Sequence, residues 1–147
     1  MVRHGIQLAL LAGPIMLTAA CAHLPLGLSC GGTREDACRV SIIELIVAPR
    51  KYEGQYVRLV APLWLEAGNP KGFAAVSEQA LTLLDAPNMI AVDVDGDPCD
   101  IDTAPTVVEG RFATADDYDY RGVVRQARVV DPETQTDACA RDDATSS

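Results

Sequence analysis

The clearest signal along the chain is a period of two. In residues 56–66, YVRLVAPLWLE, the side chains of Val57, Leu59, Ala61, Leu63 and Leu65 fall on one face and those of Tyr56, Arg58, Trp64 and Glu66 on the other. That alternation predicts a half-buried strand. Pro62 cannot donate to a ladder, so a bulge or bend is expected there. Residues 89–95 repeat the pattern, with Ile90, Val92 and Val94 inward and Ala91, Asp93 and Asp95 outward. Residues 106–114 set Val108, Gly110 and Phe112 against Val107, Glu109 and Arg111, and the Val-rich run GVVRQARVVD at 122–131 predicts a last strand. Between the first two of these, GNPKG at 68–72 reads as a turn, and 73–84 is expected to hold the second of five strands. Its register is open, because Ser77, Glu78 and Gln79 can break it or start a helical turn. Upstream the pattern changes. Ser41, Ile42, Ile43, Glu44 has the form of a capping box, and the apolar run to Ala48 before Pro49 predicts one short helix over 41–48. From Pro132 the chain turns polar and acidic, with Cys139 its expected tether and looseness beyond it.

One short helix followed by five short strands within residues 38–131 predicts an all-β fold, a barrel or sandwich. Among these the five-stranded OB-like barrel closes its edges. The 147 residues leave room for one such domain plus a targeting segment.

Residues 1–20 read as that segment. Arg3 precedes an uncharged apolar stretch, GIQLALLAGPIMLTAA, that ends in small residues just before Cys21, the layout of a secretory signal peptide. The stretch is short for a membrane span and is interrupted by Gln7 and by Gly13 and Pro14. Leu17, Thr18, Ala19, Ala20, Cys21 resembles the lipobox of bacterial lipoproteins, with Thr18 standing where Leu is commonest. The resemblance implies acylation of the Cys21 thiol, cleavage before it, and, since Ala22 rather than Asp follows, sorting to the outer membrane facing the periplasm. Two or three acyl chains hold a protein firmly on a bilayer. The alternative is ordinary cleavage after Ala22, with Ala20, Cys21, Ala22 as the small-x-small pattern, giving a soluble periplasmic or secreted protein. Residues 22–37, AHLPLGLSCGGTREDA, mix Pro and Gly without a period and read as a linker.

Under either cleavage four cysteines remain: Cys30, Cys38, Cys99 and Cys139. In an exported chain two disulfides are expected. Four cysteines allow three connectivities. No CxxC pair is present to suggest a zinc site or a redox dithiol.

Two further runs bear on the fold. IIELIVAPRKYEGQYVRLVAPLWLE resembles the opening of a group of small bacterial exported proteins, often lipoproteins and without an assigned activity, with the pattern x-ELI-x-x-P-x-x-Y-x-G-x-x-V-R-L. VVEGRFATA and GVVRQARVV resemble the later strands of such domains. The resemblance implies an OB-like fold. In that fold the third and fifth strands run parallel and end together, which favours Cys99 with Cys139 and leaves Cys30 with Cys38. Closing a loop of some forty residues contributes ~3 to 4 kcal/mol in the chain-entropy model.

Charge narrows the partners. Twenty-one acidic against twelve basic side chains give a net charge of −9, which argues against nucleic acid. The densest acidic run is DVDGDPCDID, with Asp93, Asp95, Asp97, Asp100 and Asp102. As an oxygen cage it would make the protein an exported calcium-binding one. Against an EF-hand loop from Asp93, however, the required Gly is Pro98 and the closing Glu is Ala104. An outward strand face followed by a solvated turn is preferred. In the loop before the last strand, Tyr118, Tyr120 and Arg121 border the face on which OB barrels take ligands, and Arg58 with Trp64 extends it as a candidate surface for a small molecule or an envelope protein. Their Asp neighbours speak against nucleic acid. No catalytic site or cofactor is expected: of two histidines, His4 lies in the signal segment and His23 in the linker, and no phosphate-cradling glycine motif occurs.

Overall fold

The computed structural model describes residues 30–115 and 119–139. The signal segment, Cys21, His23, Tyr118 and the end of the tail lie outside them. Six strands and two short helices follow one another: β1 (Cys38–Arg39), α1 (Ile42–Val47), β2 (Tyr56–Leu65), β3 (Lys71–Ala75), α2 (Glu78–Thr82), β4 (Met89–Val94), β5 (Ile101–Thr114) and β6 (Gly122–Val130). β2, β3, β4, β6 and β5 pair in that order, and β5 pairs back on β2. The ring closes as a five-stranded, OB-like all-β barrel. β4 and β6 are its parallel pair, with Ala91 opposite Val123 and Val92 opposite Val124.

The period of two in the first long strand fills the barrel. Val57, Leu59, Ala61, Leu63 and Leu65 are all buried, and they meet Ile90, Val92, Val108, Phe112, Val124 and Val129 in one core. The ladder between β2 and β5 shifts register between Leu63 and Trp64, one residue past Pro62, so the expected irregularity re-aims the end of the strand. At Gly122 the strands approach closely: a Cβ there would collide with the Phe112 ring and with the Ala113 carbonyl.

α1 carries the predicted capping box. Glu44 N–H donates to Ser41 Oγ at 3.2 Å, and Ser41 N–H donates back to Glu44 Oε2 at 2.9 Å. The Ser41 N–H, with the Ser41 hydroxyl beside it, holds the Glu44 carboxyl below the usual carboxylate range. Ile42 and Leu45 enter the core, but Ile43 and Val47 are exposed, so the helix is covered on one stripe although its residues are nearly all apolar. Gly54, at a φ of 73°, makes the turn into β2.

Three expectations need correction. First, the second strand begins earlier than expected: Lys71 and Gly72 belong to β3, not to the turn; after Ala75 the chain leaves the sheet for α2, the helical turn that Ser77, Glu78 and Gln79 allowed, capped by Ser77 Oγ accepting from Ala80 N–H at 3.2 Å. Second, β5 starts at Ile101, and its outward residues Val107 and Glu109 are buried. They are covered because residues 131–139 fold back over this side: Val130 bridges to Asp137, and Ala138 N–H donates to the Val129 carbonyl at 2.9 Å. Cys139 is therefore not the tail's only tether. Third, residues 30–37 are stitched to the barrel rather than trailing as linker. Tyr56 N–H donates to the Gly31 carbonyl at 2.8 Å.

Both disulfides are present as Cys30–Cys38 and Cys99–Cys139. The second joins the segment after β4 to the segment after β6, the parallel pair whose ends emerge together.

Candidate functional site

The site is a product of register on the outer face of β3, β4 and β6. Phe73 lies opposite Ala91, and Ala91 opposite Val123, so one row across the three strands is apolar with a single methyl at its centre. The next row is charged: Lys71 lies opposite Asp93, and Asp93 falls in the irregularity between the Val92–Val124 and Val94–Ala127 pairs, where Arg125 lines the same groove. The small side chain of Ala91 between larger neighbours leaves a groove of about 440 Å³, closed on its far side by Thr114, Ala115 and Tyr120.

Aromatic rings shape the rim. Trp64 stacks on Phe73 with ring centroids 6.3 Å apart, and Tyr120 meets Phe73 edge-on at 6.1 Å, both favoured arrangements. Phe73 also packs against a satellite cluster of Ala75, Ala80, Leu81 and Met89. α2 thus does for the groove what the barrel core does not: it fixes the ring that forms the groove's wall. A smaller hollow of about 230 Å³ on the opposite flank of Phe73 is lined by Trp64, Leu81, Leu84, Met89 and Asp102 among others.

Positive charge gathers beside the groove. Arg125 is directly opposite Arg111 in the β5–β6 ladder, so each of the four strands carries a charged side chain here: Lys71, Asp93, Arg125 and Arg111. Arg111 is occupied, lying over the Tyr56 ring at 4.5 Å and donating to the Gly54 carbonyl. Lys71 and Arg125 are exposed and form no ion pair among the described residues. Glu53 is within electrostatic range of Arg125, but its carboxylate accepts the Thr114 N–H, which holds its pKa below the ordinary range.

The residues singled out in the sequence divide. Trp64 and Tyr120 both reach Phe73, but only Tyr120 lines the groove, Trp64 lining the smaller hollow instead, and Arg121 is exposed in the adjoining loop. Arg58 does not join them. It pairs with the buried Glu109 and donates to Gln135 of the returning tail, six residues along β2 from Trp64, or about 20 Å of extended strand. The five aspartates do not converge: Asp93 lies in the groove, Asp100 accepts the Ala67 N–H at 2.8 Å, and Asp95, Asp97 and Asp102 are exposed. No three carboxylate, imidazole or thiol groups are grouped to hold a metal ion among the described residues, nor is any helix there long and apolar enough to cross a membrane.

Phe73, Lys71, Ala91 and Arg125 are the residues that sequence reasoning missed. The alternation of Lys71, Gly72, Phe73 was available as a signal, but the Gly and Pro of GNPKG masked it as turn. The chain matches no protein-family model, no curated protein and no solved structure.

Proposed function

We infer that the protein is a lipid-anchored, non-enzymatic module of the bacterial cell envelope, acylated on Cys21, whose barrel binds a ligand in the groove between Phe73 and Tyr120. The observation that carries the binding role is the groove itself: a concave surface with an apolar floor, aromatic walls and a few polar groups at one end is the usual form of a small-ligand site. It occupies the barrel face that OB folds commonly use. Two disulfides in a domain of this size support an oxidising compartment. The lipobox-like LTAAC supports acylation there and, with it, a tether that would hold the barrel at a membrane.

Expression in a bacterial host followed by mass spectrometry of the mature N-terminus tests the anchor. An acylated Cys21 and recovery in the membrane fraction, lost in Cys21→Ala, are expected. A mature chain beginning at His23 and found in the soluble fraction overturns the anchor.

A further inference from the structure

We propose that the groove takes an acidic saccharide, with a sugar ring laid on Phe73 over Ala91 and its negative group held by Lys71 and Arg125. The inference rests on the binding role proposed above and names the ligand's class. Its starting point is the charge arithmetic. In a chain with 21 acidic and 12 basic side chains, a base has carboxylates to spare. Arg58 and Arg128 each pair with one, Glu109 and Asp137. Lys71 stands opposite Asp93 in the β3–β4 ladder, and Arg125 lines the same groove, yet neither closes on that carboxylate within ion-pair distance. Arg125 also stands directly opposite Arg111, and like charges opposed across a ladder are destabilising. What sets Lys71 and Arg125 apart from the other bases without an ion pair among the described residues is their place on an apolar groove; two cations there, against the net charge of the molecule, are complementary to an anion.

Asp93 decides what kind of anion. A bare anion bound between Lys71 and Arg125 would meet the Asp93 carboxylate as well. A ligand carrying both a negative group and hydroxyl donors satisfies all three, since a carboxylate only accepts hydrogen bonds and hydroxyls can donate them. The neighbouring row suits the rest of such a molecule. The Phe73 face and the low floor at Ala91 offer an apolar surface of one ring's width, and Trp64 behind Phe73 holds that ring in place.

Trp64 is the only tryptophan and touches the groove wall, so its fluorescence reports binding in the full-length protein held in detergent micelles. Trigalacturonate and glucose 6-phosphate are the acidic probes; the uronate and phosphate arms distinguish which negative group is taken. Maltotriose, inorganic phosphate and an Asp-rich peptide are the controls. Saturable binding of an acidic sugar, at least tenfold tighter than maltotriose, is expected. Lys71→Met and Arg125→Met are each expected to weaken it about tenfold, the usual worth of a charge-assisted hydrogen bond, and Ala91→Phe to abolish it by filling the trough. Equal binding of maltotriose, equal binding of inorganic phosphate at the same residues, tighter binding of the peptide, or no binding of either acidic sugar would each overturn the assignment. The last leaves the acyl anchor standing, because mass spectrometry reads that separately.

Discussion

At the residue scale the most consequential pair is Arg58 and Glu109. The Glu109 side chain is 8% exposed and Arg58 is 32% exposed, so the carboxylate has given up most of its water for one guanidinium. Replacing Arg58 with Met strands that carboxylate, whereas replacing both partners removes the need for either. Single removal of a partner from a fully buried pair costs about 3 to 5 kcal/mol; with Arg58 a third exposed, screening brings the expected loss to about 1 to 3 kcal/mol. Arg58→Met is therefore expected to lower the urea midpoint markedly, and Arg58→Met with Glu109→Leu to recover at least half of the loss. A double variant as unstable as the sum of its parts would show that the two residues act independently. The alternation in residues 56–66 put Arg58 and Trp64 on one face, and both do lie outside the barrel core. What it could not convey is that a tail 77 residues downstream folds over Arg58 and leaves Trp64 against Phe73.

At the element scale, α2 closes in a manner that its sequence does not advertise. Asp85 N–H donates to the Ala80 carbonyl at 2.9 Å and Leu84 N–H to the Leu81 carbonyl at 3.1 Å, the paired bonds of a Schellman motif. The position that motif reserves for glycine is Leu84, with a φ of 51° and a side chain 73% exposed. A left-handed conformation costs a branched side chain about 1 kcal/mol, and little packing offsets it there. Leu84→Gly is expected to stabilise the protein by about 0.5 kcal/mol or more in equilibrium urea unfolding, in contrast with glycine substitutions within helices; a net loss would mean that the Leu84 side chain contributes packing to the hollow beside Phe73. The same element explains why the fold was only partly legible. α1 was readable because its capping box, Ser41 and Glu44, is a local signal that works through adjacent backbone. The strands β2 and β4 were readable because one buried face imposes alternation, and β6 because its run is rich in Val. α2 lacks the glycine stop, and β3 is five residues long with Gly72 in its second place, so neither carried enough period to separate them. The groove shared that fate, since its wall, Phe73, stands on the one strand whose register the pattern left open.

At the scale of the whole molecule, the two disulfides constrain different things. Cys30–Cys38 closes a separation of 8 residues and Cys99–Cys139 one of 40. In the chain-entropy model these correspond to about 2.5 and about 4 kcal/mol, so the longer bridge should dominate. Its effect also reaches beyond the unfolded chain. Residues 131–139 carry Gln135 to Arg58 and Asp137 to Val130 and Arg128, and they cover the side of β5 on which Glu109 is buried. Cutting the bridge lets this strap exchange with solvent, and the water admitted weakens the penalty for stranding Glu109. Two outcomes follow for non-reducing urea titrations. Cys99→Ser with Cys139→Ser should cost more than Cys30→Ser with Cys38→Ser. In addition, the loss caused by Arg58→Met should shrink by 0.5 kcal/mol or more in the Cys99, Cys139 variant, while staying unchanged in the Cys30, Cys38 variant. Equal losses from the two bridges would contradict the entropic ordering. An Arg58→Met cost indifferent to the longer bridge would mean that the strap holds by its hydrogen bonds alone, and that Cys139 merely pins its end.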